Sequence, residues 1–272
     1  MIRINPMFQY PDIDPIAFGL GPLQVRWYGL MYLIGFALAW FGLRMRARRQ
    51  NSPISHMAVD DLIFYVALGV ILGGRVGYMF FYNLSVLIEN PFSLFRVWEG
   101  GMSFHGGLIG VAIAMAVYAR QLNKPFYAVT DFIAPWVPPG LGLGRIGNFI
   151  NGELWGSQAH PEAFYAVWVN GVPRHASQLY EACLEGLVLF LILWTYSRKA
   201  RPTMAVTGIF LFFYGTFRSV VEFVRLPDTH LNVAADGYLA FGWLTMGHVL
   251  SLPMILFGAF LFMSAYRHKR LA

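Results

Sequence analysis

The chain has few means of cross-linking itself and few charges with which to face water. Cys183 is its single cysteine, which excludes a disulfide framework and a cysteine metal cluster. Charged residues make up 12% of the 272 residues against 57% hydrophobic ones, and mean hydropathy is +0.52. A soluble globular domain is excluded by that balance; the bilayer is the solvent. No Gly-Lys-Ser phosphate loop occurs, which argues against ATP-driven transport, and no repeat relates one half of the chain to the other. A cleavable signal peptide is not expected, because its positive residues precede a short apolar core, whereas here the first basic cluster follows a full-length apolar stretch.

What is present is a series of apolar stretches. Seven are long enough to cross about 30 Å of hydrocarbon at roughly 20 residues each. They lie near Trp27 to Leu43, Asp61 to Tyr82, Phe104 to Arg120, Tyr127 to Leu143, Gln178 to Tyr196, Val206 to Val224 and Met246 to Tyr266. A formal net charge of +6 invites a nucleic-acid reading, but the basic residues mark one face of a membrane instead. Arg44, Arg46, Arg48 and Arg49 follow span one, Arg120 and Lys124 span three, Arg198, Lys199 and Arg201 span five, and Arg267, Lys269 and Arg270 span seven, which is twelve of the 20 Lys and Arg residues. By the positive-inside rule that face is cytoplasmic, so the N-terminus is expected outside and the C-terminus inside. The expected fold is an all-α polytopic membrane protein of about seven transmembrane helices, forming one integral membrane domain over residues 1–272.

Residues 1–26, interrupted by Pro6, Pro11, Pro15 and Pro22, are expected to form an outer interfacial arm. The connection 83–103, with Phe92, Phe95 and Trp98, fits an interfacial aromatic belt. Residues 148–177 are the longest external segment. Within them Phe164 to Val169 alternates and Asn170-Gly171 supplies a hairpin turn, so a small external head with a β element is predicted. Span four carries Pro135, Pro138, Pro139, Gly140, Gly142 and Gly144, which predicts a broken helix.

Polar groups inside spans are costly and each needs a partner or a role. Between Gly144 and Gly156 the chain reads Gly-Arg-Ile-Gly-Asn-Phe-Ile-Asn-Gly-Glu-Leu-Trp-Gly, a polar site at a membrane edge in which Arg145 offers a planar fork of donors to a phosphate or carboxylate. Tyr214, Arg218 and Glu222 fall at i, i+4 and i+8 on one helical stripe. Arg218 and Glu222 read either as a structural ion pair or as a second phosphate ligand and the residue that orients it. Gln178, Tyr180, Glu181 and Glu185 form a polar start to span five, where the helix dipole favours carboxylates anyway. Arg75 and Asp131 are expected to pair across the bundle, and Cys183 to be a small buried apolar residue. His105 stands between glycine pairs at the outer end of span three, at the expected depth of Arg145 and Glu153. His160, His175 and His230 are external loop residues without assigned chemistry, and His248 near the start of span seven is ambiguous.

The run from Gly144 to Gly156 resembles the signature of the bacterial phosphatidylglycerol:prolipoprotein diacylglyceryl transferases. Trp27 to Tyr32, Gly73 to Tyr78, Gly100 to Gly107, Ser177 to Glu181 and Tyr214 to Arg218 resemble further blocks of that family, in family order, so the resemblance covers essentially the whole chain. It departs at His175-Ala176-Ser177-Gln178, where the family usually has a proline, and at His248, where it usually has glutamine. The resemblance implies transfer of diacylglycerol from phosphatidylglycerol to the lipobox cysteine of a preprolipoprotein, at the periplasmic face of the inner membrane, with membrane lipids as surroundings and no cofactor or metal. For that reaction His105 is expected to accept the thiol proton, the alternative being that the arginine-lined pocket itself lowers the thiol pKa, and Arg145 and Arg218 are expected to bind the phosphodiester; the resemblance further implies binding roles for Tyr28, Asn148, Asn151, Glu153, Gly156, Tyr214 and Glu222. A lipid transporter or scramblase is the competing reading. It would more typically place its polar residues along a path through the bilayer midplane and show paired repeats.

Overall fold

A computed structural model describes residues 8–21, 23–50, 52–226 and 238–271. Pro6, Pro22 and His230 lie outside them. The chain opens with a hairpin of β1 (Ile16–Leu20) and β2 (Leu23–Arg26), followed by α1 (Trp27–Ala47), α2 (Ala58–Tyr82) and a short α3 (Leu84–Glu89). Two 3₁₀ turns lead into α4 (Phe104–Gln121), then α5 (Phe126–Ile133), a 3₁₀ turn at Ala134–Trp136 and α6 (Val137–Ile150). A second hairpin, β3 (Ala166–Val169) with β4 (Val172–His175), precedes α7 (Ser177–Glu181). A π-helical stretch, Ala182–Val188, joins α7 to α8 (Leu189–Tyr196), and α9 (Ala205–Glu222) and α10 (Met246–Leu271) complete the order. Among the described residues, five helices are long and apolar enough to cross a membrane: Trp27–Ala47, Ala58–Tyr82, Ser177–Tyr196, Ala205–Glu222 and Met246–Arg267. The chain forms two compact units, one of Met1–Ala39 with Ile133–Ala272 and the other of Trp40–Phe132.

In the second unit, α2 and α4 meet along glycines. A Cβ on Gly69 would stand 2.7 Å from the Gly110 carbonyl oxygen, and one on Gly77 2.6 Å from the Gly106 Cα. Small residues spaced by one turn let two backbones touch, which matters in lipid because apolar side chains gain nothing by leaving it. Arg75 does not pair with Asp131 as expected. Its guanidinium donates to the carbonyls of Ser93 (2.6 Å), Leu94 (3.1 Å), Gly100 and Gly101, holding the aromatic 83–103 connection against the end of α2. A fork of five donors suits a ring of carbonyl oxygens, each with two lone pairs to offer. The carbonyl of Asp131 accepts instead from Arg46, at 3.4 Å.

In the first unit the core gathers Ala134, Leu189, Leu193 and Val206, flanked by Phe210, Phe213 and Phe217. The break in span four is narrower than its composition implies. Pro135 sits in the 3₁₀ turn, while Pro138 and Pro139 occupy the opening of α6, where a missing N–H leaves no helical bond unmade. Gly140, Gly142 and Gly144 remain helical, and one of them sets the packing. A Cβ on Gly186 would meet the Gly142 Cα at 2.7 Å, so α6 lies directly on the π-helical stretch. Cys183 is exposed, contrary to expectation. Two residues after Glu181 on a helix puts it nearly opposite the inward carboxylates, and an apolar thiol is comfortable on that face.

The predicted β element is present. Val169 pairs with Val172 across Asn170 and Gly171, both at positive φ (50° and 78°), the conformation of a two-residue type I′ turn. The β1–β2 hairpin lay hidden among the prolines of the arm. The arm also reaches the head: Trp168 N–H donates to the Phe8 carbonyl and Tyr10 N–H to the Trp168 carbonyl, both at 2.9 Å.

Gly106→Leu is expected to push α2 and α4 apart and to cost about 1–3 kcal/mol, the range for overpacking. Gly29→Ala, at a position with open space around it, is expected to cost nothing. Thermal unfolding in detergent measures both.

Candidate active site

The polar residues of the first unit converge on one carboxylate. Glu181 ends α7 and is only 1% exposed. Its Oε2 lies 2.9 Å from Arg145 Nε of α6, while its Oε1 takes Arg218 Nη1 of α9 at 2.9 Å and Arg225 Nη1 at 3.3 Å. Arg218 also reaches Glu222 Oε2, one turn on, through Nη2 at 2.7 Å, a charge contact whose angle departs from hydrogen-bond geometry. Glu222 Oε1 accepts from the Thr245 hydroxyl at 2.8 Å. Gly247 leaves the space that this carboxylate occupies, since a Cβ there would overlap it. Glu185 is wholly buried and accepts no hydrogen bond at either oxygen; Arg145, Glu181, Arg218, Arg225 and Tyr214 are its electrostatic neighbours. Such an arrangement offers an anion several guanidinium groups already held apart and oriented by carboxylates.

A second network follows at the end of α6. Asn148 and Asn151 both donate to Glu153 Oε1, at 2.8 and 3.2 Å, and the Glu153 N–H closes the turn onto the Asn148 carbonyl at 3.1 Å. Gln178 of α7 donates to the Glu153 carbonyl. Tyr10 from the arm seals the same helix end, its hydroxyl 2.9 Å from the carbonyls of both Phe149 and Ile150, and its ring set edge-on to Phe149 and Trp155. Burial, and secondarily Asp12, raises the Tyr10 phenol above its ordinary value, which keeps it a neutral donor. His175, stacked on Tyr165, is pushed below the usual imidazole range by burial.

Tyr28 lies across the backbone of α6, its ring where a side chain on Gly147 would stand, and its hydroxyl is 3.2 Å from that of Tyr32. Gly156 serves the backbone. A Cβ there would crowd the Val224 oxygen at 2.5 Å and the His175 oxygen at 2.9 Å. Its absence lets Ser157 N–H bond the Val224 carbonyl at 2.8 Å, beside Arg225. The end of the glycine-punctuated run thus fixes the third arginine of the cluster.

A profile of the prolipoprotein diacylglyceryl transferase family matches residues 15–264. The chain belongs to that family. It is 57% identical over 265 residues to the phosphatidylglycerol–prolipoprotein diacylglyceryl transferase of Methylococcus capsulatus, covering 97% of this chain and 99% of the relative. The protein of the same name from Oleidesulfovibrio alaskensis is 54% identical over 269 residues, 98% of each chain, and that of Pseudomonas putida 53% over 267 residues, 97% of each.

Of the residues singled out from the sequence of this family member, the structure brings Arg145, Arg218 and Glu222 together around Glu181, with Tyr214 an electrostatic neighbour of both arginines. It gathers Asn148, Asn151 and Glu153 one turn beyond Arg145. His105 belongs to the other unit, exposed in the first turn of α4 with its ring edge-on to Phe104. Sequence reasoning underrated Glu181 and Glu185 and passed over Arg225. The signal was available in their spacing: Glu181 and Glu185 stand four apart, and Arg225 is seven residues, close to two turns, beyond Arg218.

Removing the shared carboxylate leaves three guanidinium groups without their common partner. Glu181→Ala is therefore expected to lose about 3–5 kcal/mol, while Glu153→Ala, at an exposed position, loses far less. Thermal and denaturant unfolding in detergent compare the two.

Proposed function

We propose that this protein transfers the diacylglyceryl group of phosphatidylglycerol to the cysteine thiol of a preprolipoprotein lipobox. The C–O bond between the glyceryl carbon and the phosphate breaks with its electron pair on oxygen, a C–S thioether forms, and glycerol phosphate leaves. The observation that carries this reading is the set of three arginines oriented around Glu181 in a helical unit with apolar outer faces. A phosphodiester ending an acyl-chain lipid needs that combination of cationic donors and hydrocarbon surroundings.

In this reading Arg145 and Arg218 bind the phosphodiester and the charge that develops as it departs, Glu181 and Glu222 hold them in position, and Tyr214 lies beside them. Asn148, Asn151 and Glu153 receive the glycerol headgroup or shape its site, Tyr28 keeps α6 in register, and Gly156 allows the close backbone approach. His105 accepts the thiol proton. A free thiol with a pKa near 8.5 is only a few per cent thiolate at neutral pH, so a base helps. The topology inferred with it has seven spans, α4 and the interrupted α5–α6 segment joining the five long apolar helices. The N-terminus and the 148–177 head lie in the periplasm and the C-terminus in the cytoplasm of an inner-membrane protein. Clusters of Arg after alternate spans support that orientation. A transporter reading is less well supported, because Arg145, Arg218 and Arg225 are gathered by ion pairs to Glu181, in the C-terminal halves of α6 and α9 and just beyond α9, and do not line a path along the helices.

Purified protein in detergent, labelled phosphatidylglycerol and a lipobox peptide test the reading directly. A diacylglyceryl mass gain on the peptide and release of glycerol phosphate are expected. Arg145→Ala and Arg218→Ala are each expected to lower kcat/KM on the order of 10²-fold; equal product from either variant removes that arginine from the site. His105→Gln is expected to lower kcat with a changed pH profile. Near-normal turnover with the wild-type profile would instead assign the thiol proton to another acceptor.

A further inference from the structure

His248 has no part in the chemistry above, yet an unbroken line of polar contacts joins it to Arg218. Arg218 Nη2 lies 2.7 Å from Glu222 Oε2, the Thr245 hydroxyl lies 2.8 Å from Glu222 Oε1, and His248 Nδ1 stands 3.0 Å from the same hydroxyl. The imidazole is 8% exposed, bounded by the rings of Phe223 and Trp243 with centroids 4.8 and 5.6 Å away, and its Nε2 has no hydrogen-bond partner. Among the described residues, the charged group bonded into this line is Glu222 of α9, which is already paired with Arg218. The flanking groups from the end of α9 and from the segment before α10 are aromatic, and the Thr245 N–H faces Nδ1 at 3.4 Å.

The hydrogens in this line decide its direction. A threonine hydroxyl has one hydrogen to donate, and a neutral imidazole has one bare nitrogen. With Nδ1 bare, it accepts from the Thr245 N–H and competes with Glu222 for the hydroxyl hydrogen. With both nitrogens protonated, Nδ1–H donates to the Thr245 oxygen and the hydroxyl hydrogen goes to Glu222. Imidazole is the side chain whose ordinary charge change falls between pH 5 and 8. A carboxylate satisfied by Thr245 holds the guanidinium less tightly, and the imidazolium adds a positive charge to a site for an anion.

We infer that His248 is a positioning residue for Arg218, acting through Thr245 and Glu222, so that protonation of the imidazole tightens the hold of the site on an anionic lipid headgroup. The inference rests on the reading of Arg218 as a phosphodiester ligand.

The test uses the full-length protein in detergent with a saturating lipobox peptide, and compares KM for phosphatidylglycerol at pH 6 and pH 8. In the wild type KM is expected to be about fivefold lower at pH 6, at the low end of coupling between sites. The ratio is expected to fall close to one in His248→Gln, whose amide donates at either pH, and in Thr245→Val, which keeps the imidazole but cuts the relay. A wild-type ratio retained in His248→Gln overturns the role of this residue, and one retained in Thr245→Val overturns the relay. A readout independent of turnover is the pH-dependent fluorescence of Trp243, whose ring borders the imidazole. That component is expected to vanish in His248→Gln and to shift its midpoint in Glu222→Gln; an unmoved midpoint overturns the coupling whether or not the enzyme turns over. A midpoint that moves while the wild-type KM stays flat with pH breaks the inference at its last step, and points to failure of the Arg218 assignment in place of the relay.

Discussion

The organisation of the first unit depends on one carboxylate shared by three guanidinium groups. Attraction between Glu181 and Arg145, Arg218 and Arg225 is strong where water is scarce, but so is the cost of removing each charge from water. Neither is tolerable alone in a helix bundle surrounded by hydrocarbon. The ion pairs therefore demand that α6, α7 and α9 meet at one depth, with Arg225 delivered just past the end of α9.

Close backbone approach makes the cluster possible. Gly142 and Gly186 let α6 rest on the π-helical stretch that follows Glu181, Gly247 makes room for the Glu222 carboxylate, and Gly156 lets the loop after α6 hydrogen-bond beside Arg225. Widened π turns are frequent at functional sites, and this one lies beside the buried Glu181 and Glu185. The arm contributes at the other end, where the Tyr10 hydroxyl meets the last carbonyls of α6 and steadies the turn that carries Asn151 and Glu153. Polar chemistry, glycine packing and helix capping thus act on the same short run, from Gly142 to Gly156.

Much of this was legible before any coordinates. Apolar length specifies the five long helices, because a membrane requires about 20 residues per crossing and every backbone group bonded within the helix. The Asn170-Gly171 hairpin was equally plain, since only a few residue pairs accept two consecutive positive φ values. Arg218 and Glu222 were identified as partners from a four-residue interval, a purely local relation. The structure differs where the deciding group is a backbone carbonyl, a proline-rich turn or the face of an apolar helix, none of which a pattern of charges marks. Arg75 was assigned to Asp131 by charge, yet the 3₁₀ turns after α3 present carbonyl oxygens that it meets instead. The β1–β2 hairpin was obscured by prolines, and Cys183 was placed inside when its helix face points out.

By itself the sequence determined that this is a helical membrane protein, located the stretches that form its five long apolar helices among the described residues, and singled out the residues around Arg145 and Arg218 as the candidate site. These properties follow from composition and from intervals of a few residues, where helix geometry leaves little choice. Tertiary structure decided that Glu181 is the common partner, that Arg225 joins it, and that His248 reaches Arg218 through Thr245 and Glu222. Those contacts span from 3 to 44 residues of chain, and most are set by which glycines let two helices touch, a property no single helix contains.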